Sequence, residues 1–142
     1  MEAMWSRYLP QATIVAQLLA DGALGEPRFV EADFGFLARF DPASRLYNPE
    51  LAGGALLDLG VYNVSFALDL LGVPSEIVGR GSLTATGVDA EVASILTHAG
   101  GARSEAHTTM LSAGPSRATV IGTEGYLELD GAFYNWTTVR RY

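Results

Sequence analysis

Gly72 and Pro74 divide this chain into two kinds of pattern, and that division limits its fold more than any other feature. Before them, apolar residues recur at helical spacing in two segments on either side of one strand. From Glu76 onward they sit in short runs bounded by Gly, Pro, Asp or Ser, as strands separated by turns do. The first predicted helix covers Pro10 to Asp21, with Ile14, Val15, Leu18 and Leu19 apolar and Gly22 as its stop. Gly25-Glu26-Pro27 breaks the chain, and Arg28 to Phe36 reads as a strand with Glu31 and Asp33 on one side. A second helix runs from Ala55 to Leu71, ended by Gly72 and Pro74. Strands follow near Glu76–Thr84, Glu91–Ala99, Ala102–Leu111, Arg117–Gly122 and Tyr126–Asp130, with a last short one near Ala132–Val139; Gly100-Gly101 reads as a hairpin turn. Helices early and strands late predict an α+β domain: a predominantly antiparallel, mixed open sheet with its helices on one face.

Composition narrows the function classes. The chain has 142 residues, a single-domain length, and a net charge of −7, which argues against a nucleic-acid or anionic-membrane partner. No apolar run has the roughly 18 residues of a membrane span, and without a signal pattern the cytoplasm is the favoured location. With no cysteine, thiolate chemistry and disulfides drop out. His98 and His107 lie on consecutive strands, but a third ligand is missing, so no metal site is assigned. Gly122-Thr123-Glu124-Gly125 joins two strands and opens no helix, unlike a phosphate cradle.

The second helix carries the chemistry. At about 100° per residue, Leu57, Val61, Val64, Leu68 and Leu71 form an apolar stripe, and Asp58, Tyr62, Ser65 and Asp69 a polar one about a right angle away. Asp58 and Tyr62 are four residues apart, so a carboxylate can orient or polarise a phenolic O–H. The rival reading is an acid placed in a first helical turn by the macrodipole and a core-edge tyrosine with a wet tip. The long loop from Ala38 to Ala52 carries Arg39 and Arg45 and is a candidate pocket wall. Thr84, Thr86, Ser94, Thr97, Ser104, Thr108, Thr109 and Ser112 give the sheet many small hydroxylated side chains. One sheet face has no helix to cover it, and it either meets solvent or pairs with a second copy.

Four segments in order carry a resemblance: Met1–Pro10 (MEAMWSRYLP), Gly53–Tyr62 (GGALLDLGVY), Thr86–Asp89 (TGVD) and Ile121–Gly125 (IGTEG). Together they resemble the C-terminal domain of the glucose-fructose oxidoreductase / inositol dehydrogenase / MocA family, and within it the dimeric dihydrodiol dehydrogenase branch. The resemblance implies that residues 1–142 form the substrate-binding and dimerisation domain of a two-domain enzyme. The NAD- or NADP-binding Rossmann domain would precede it and is absent from this chain. No Gly-x-Gly-x-x-Gly follows an early strand. The family's Glu-Lys-Pro segment is also missing, and the sequence holds no lysine to match it, so this chain alone is expected to be inactive.

By the same resemblance Tyr62 is the acid/base that exchanges the substrate's hydroxyl proton while a hydride moves to or from the nicotinamide. Asp58 orients the polar groups around it, Trp5 and Arg45 line the pocket with Arg39 beside them, and Phe133 and Trp136 close it from the C-terminal side. The cofactor-binding residues are not identified. The substrate would be a sugar, polyol or cyclic diol, and the subunits would pair as a homodimer through the sheet. Two other classes stay open: a ligand sensor that has lost catalysis, and a stand-alone interaction domain built on the sheet.

Overall fold

The computed structural model describes residues 3–142; Met1 and Glu2, which begin the first motif, lie outside the described residues. The chain forms helix α1 (Pro10–Ala20), strand β1 (Pro27–Gly35), helix α2 (Val61–Leu71) and strands β2 (Glu76–Leu83), β3 (Asp89–Thr97), β4 (Arg103–Thr109), β5 (Ala118–Gly122), β6 (Tyr126–Leu129) and β7 (Val139–Arg141). One seven-stranded sheet takes the order β2-β3-β4-β1-β5-β6-β7. β1 runs parallel to β4, with Glu31 opposite Glu105, and every other neighbouring pair is antiparallel. A parallel pair needs a crossover connection, and α2 lies on that crossover.

Alternation along the strands sorts the two faces. Val30, Ala32, Phe34, Ala106, Val120, Leu127 and Leu129 are buried on the helix side. Val30, Ala32, Val120, Leu127 and Leu129 pack with Val15 and Leu24 in one core, and Phe34 packs with Tyr47, Leu59 and Met110 in another. α1 starts with Pro10 at a position where a missing N–H costs nothing, and the chain leaves it through Gly22 at φ 70°.

Four sequence expectations need correction. The second helix is not uniform: Leu56–Gly60 forms one wider π-turn before α2 begins at Val61. Apart from Leu71, its apolar stripe does not face the core. Gly60, Asn63 and Ala67 lie against the sheet instead, and Gly60 sits so close that a Cβ there would stand 3.0 Å from the Thr108 methyl. Only small side chains allow that approach, so Leu57, at 61% exposure, and Val61, Val64 and Leu68 turn outward. With Ile77, Val92 and Leu96 from β2 and β3 they line an open apolar groove of about 620 Å³.

Ser94, Ser104 and Thr108 likewise point to the helix side, by the register that pairs Ser94 with Ala106. The uncovered face carries charge instead: Arg80, Glu91, Arg103, Glu105, Glu31, Asp33, Glu128 and Arg140, with Val78, Ile95, Phe29 and Ile121 among them. Finally, no strand forms over Ala132–Val139; a turn occupies residues 131–136 and the last strand begins at Val139. The segment Pro49–Leu71 is long and apolar enough to pass for a membrane span by composition. Ala52 at φ 55° and Gly54 at φ 120° break it before α2, and its inner face packs on the sheet. It is a core element here.

Candidate functional site

The N-terminal segment is laid along the polar stripe of α2. In the 3₁₀ turn Trp5–Tyr8, the Trp5 indole Nε1–H donates to the Tyr62 hydroxyl at 3.1 Å, and two residues on the Arg7 guanidinium pairs with Asp69. The Trp5 and Tyr62 rings meet edge to face, with centroids 6.3 Å apart. Because the indole can only donate, the phenolic oxygen is the acceptor and its own proton stays free for another group.

Behind the hydroxyl, the Tyr62 ring is wedged into the core edge. Phe34 of β1 lies 5.9 Å from it and Tyr134 5.4 Å, and those two stack on each other at 4.0 Å. Burial pushes the Tyr134 phenol above its ordinary range; a hydrogen bond with Ser116 opposes that shift, and Tyr62 adds to it. An aromatic bed of this kind fixes both ring dihedrals of Tyr62 while leaving its oxygen at the surface.

Asp58 sits in the π-turn, at 22% side-chain exposure, and its carboxylate is held by the Arg45 guanidinium. π-turns of this type concentrate at functional sites. Arg45 is presented by a shaped loop. Ser44 Oγ accepts from the Leu46 N–H at 3.3 Å and Asn48 Oδ1 from the Glu50 N–H at 2.9 Å, giving two short 3₁₀ turns. The buried Tyr47 hydroxyl donates to the Ala38 carbonyl at 3.1 Å and pins the loop's start to its middle. Gly53 closes the loop onto the helix, since a Cβ there would stand 2.6 Å from the Arg45 carbonyl oxygen.

The structure therefore brings together Trp5, Arg45, Asp58 and Tyr62 along one edge of α2, but in two pairs. The phenol bonds to Trp5 and the carboxylate to Arg45; no hydrogen bond joins Asp58 to Tyr62 among the described residues. The π-turn, which contains Asp58 and ends just before Tyr62, changes the angular step that the four-residue spacing assumes. Arg39 is exposed in the strand-free segment after β1. Phe133 is 4% exposed and packs on Phe66 at 5.5 Å, making it a core residue that touches the site through Tyr134. Trp136 is 75% exposed in the turn before β7, apart from this cluster. Tyr134 and Phe34 were not singled out from sequence; the signal for Tyr134 was the Phe133–Trp136 aromatic run that contains it.

The two histidines lie in different settings. His98 is buried, with Nδ1 2.8 Å from the Gly72 carbonyl and Nε2 2.8 Å from Ser104 Oγ. His107 is on the uncovered sheet face, opposite Asp33.

Comparison with known proteins agrees with this architecture. The family profile of the GFO/IDH/MocA C-terminal domain matches residues 13–128. The trans-1,2-dihydrobenzene-1,2-diol dehydrogenase of Xenopus laevis is 34% identical over 141 residues, spanning 98% of this chain and 42% of the relative. That of Mus musculus is 36% identical over 131 residues, 91% of this chain and 39% of the relative. Among solved structures, an aldose-aldose oxidoreductase from Caulobacter crescentus, complexed with glycerol, superposes with a TM-score of 0.86 at 30% identity, covering 96% of this chain and 43% of that one. A point mutant of a 3-ketoreductase from Actinomadura kijaniata, in complex with TDP-benzene and NADP, gives 0.88 at 26% identity over 100% of this chain and 45% of that one. The chain thus spans about two fifths of the length of the curated relatives it matches. It belongs to the GFO/IDH/MocA oxidoreductase family, as a representative of that family's C-terminal domain.

Proposed function

We propose that this chain is the substrate-binding domain of an NAD- or NADP-dependent oxidoreductase acting on a sugar, polyol or cyclic diol, with Tyr62 as the acid/base. The observation that carries the reading is the Tyr62 phenol, immobilised on Phe34 and Tyr134 and hydrogen-bonded by Trp5 through its oxygen alone. The glycerol and NADP bound by relatives support the substrate and cofactor classes.

The described residues contain no glycine-rich strand-to-helix turn for a dinucleotide pyrophosphate, so the reading assigns cofactor binding to a Rossmann module outside this chain. A nicotinamide supplies the hydride chemistry; this chain supplies the proton and the pocket. In the oxidative direction Tyr62, having released its own proton to solvent, takes the substrate's hydroxyl proton as the phenolate, and in the reductive direction the phenol gives its proton to the carbonyl oxygen. The Trp5 N–H steadies that oxygen in either state. The Arg45–Asp58 pair offers a guanidinium and a half-buried carboxylate to the remaining hydroxyls of a diol or polyol, which is how such groups fix orientation in a pocket.

Pairing of two copies through the uncovered sheet face belongs to the same reading. The mixed charges of that face suit a twofold contact in which Arg80 and Arg103 of one copy face Glu31 and Glu105 of the other. Sedimentation tests this: a dimer that weakens with salt is expected, and a monomer at micromolar concentration in low salt refutes it. For the chemistry, Tyr62→Phe in an enzyme carrying this domain behind a Rossmann module should lower kcat by about two to four orders of magnitude; unchanged turnover refutes the assignment.

A further inference from the structure

The Thr86-Gly87-Val88-Asp89 motif has no part in the site as described so far. Thr84 to Val88 form the turn between β2 and β3, closed by Thr84 N–H to the Val88 carbonyl at 2.8 Å and Gly87 N–H to the Thr84 carbonyl at 3.0 Å. That turn delivers Asp89, the first residue of β3, to the start of the π-turn. Its Oδ2 accepts from the Leu56 N–H at 2.6 Å. Its Oδ1 lies over Gly54, where any Cβ would collide with it and where φ is 120°. The first N–H groups of a helix have no partner within it, and a carboxylate there is stabilised by both the hydrogen bond and the helix dipole. Neither residue 55 nor residue 60 supplies a side-chain cap of its own.

We propose that Asp89 is a positioning residue: by capping the π-turn from a different strand, it sets the height and rotation at which Asp58 and Tyr62 stand over β1 and β4. The Gly53-Gly54 pair and the distant Thr86–Asp89 motif are then two halves of one joint. Gly54 gives the carboxylate room and Asp89 fills it. Beneath the helix, Asn63 Nδ2–H donates to the His107 carbonyl at 2.7 Å and the Thr108 hydroxyl to the Ala55 carbonyl at 3.3 Å, both ties to β4; the cap adds the tie from β3 that holds the first turn. The proposal deepens the reading of Tyr62 as acid/base and rests on it for its catalytic meaning.

Its test is spectroscopic and uses this chain alone. The Trp5 indole N–H resonance of the ¹⁵N-labelled chain reports the bond to Tyr62, which Tyr62→Phe calibrates by removing the acceptor. Asp89→Ala should move that resonance toward the Tyr62→Phe position and speed exchange of the Leu56 and Asp58 amides about tenfold or more. Asp89→Asn, which keeps an acceptor oxygen, should restore both. Val15→Ala is the stability control: it empties part of the core beneath α1 and should lower Tm without moving the indole signal. The proposal is overturned if Asp89→Ala leaves the indole signal in place, or if Val15→Ala shifts it as much. Should Asp89→Ala fail to fold, Asp89→Ser, one atom shorter in reach, is judged by the same two signals. Turnover of Tyr62→Phe decides the acid/base reading separately, so either idea can fail while the other stands.

Discussion

Removing the His98 imidazole should be among the most destabilising single changes in this domain. A carbonyl oxygen can only accept, so the ring nitrogen facing Gly72 must carry the hydrogen, and the other nitrogen accepts from the Ser104 hydroxyl. His98 therefore ties the residue just after α2 to the middle of the sheet. His98→Ala leaves a void costing about 2 kcal/mol and orphans the fully buried Ser104 hydroxyl, at about 1–3 kcal/mol; the exposed Gly72 can recover water. The sum is about 3–5 kcal/mol, a large part of a typical domain's stability. Urea denaturation should show the midpoint falling at an unchanged m-value. Adding Ser104→Ala should then cost less than it does alone, because the orphan is already made. A loss under about 1 kcal/mol, or additive behaviour in the double mutant, would refute the reasoning.

Other outcomes follow from the same structure. Leu57→Gln should change stability by no more than about 0.5 kcal/mol, as for surface substitutions generally, because the side chain is 61% exposed; a core-sized loss in the same titration would restore the helical-wheel reading. Arg45→Ala should cost at most about 1 kcal/mol in stability, since the guanidinium is more than half exposed, yet in an active enzyme it should raise KM for a diol. Arg140 donates to Asp130 and holds its carboxyl below the usual carboxylate range. The contribution of this pair is therefore full above the unfolded carboxyl pKa and fades as pH falls through the lowered native one. A ¹³C carboxyl titration should show Arg140→Ala returning Asp130 to the ordinary range.

How much the residues revealed depended on whether a local rule decided the outcome. α1 appears where Pro10 and Gly22 placed it, and β1 within a residue of its forecast span, with Glu31 and Asp33 on the uncovered face. Those positions follow from proline, glycine and period-two alternation, which act within a few residues. The orientation of α2 was not legible, because a wheel of constant angle puts the largest apolar residues inward. Here the sheet approaches so closely that Gly60 and Ala67 must take that place, and the π-turn alters the step between Asp58 and Tyr62. The polar partners were also hidden. Trp5 with Tyr62, Arg45 with Asp58 and Asp89 with Leu56 are separated by 57, 13 and 33 residues, and no local pattern encodes such pairs. Trp5 and Arg45 were reached through the family resemblance, which marked Asp89 within a motif but gave it no role; its contact with Leu56 is visible only in the structure.

The account turns on the proton at Tyr62, and the most direct measurement is steady-state turnover of a chimera that places this chain behind the Rossmann module of the Xenopus laevis relative. The Tyr62 form is predicted to oxidise a cyclic diol or polyol. Tyr62→Phe should reduce kcat by about 10²–10⁴ with KM changed only a few-fold, the signature of an interaction made in the transition state. A Tyr62→Phe chimera that turns over at the parent rate would contradict the account.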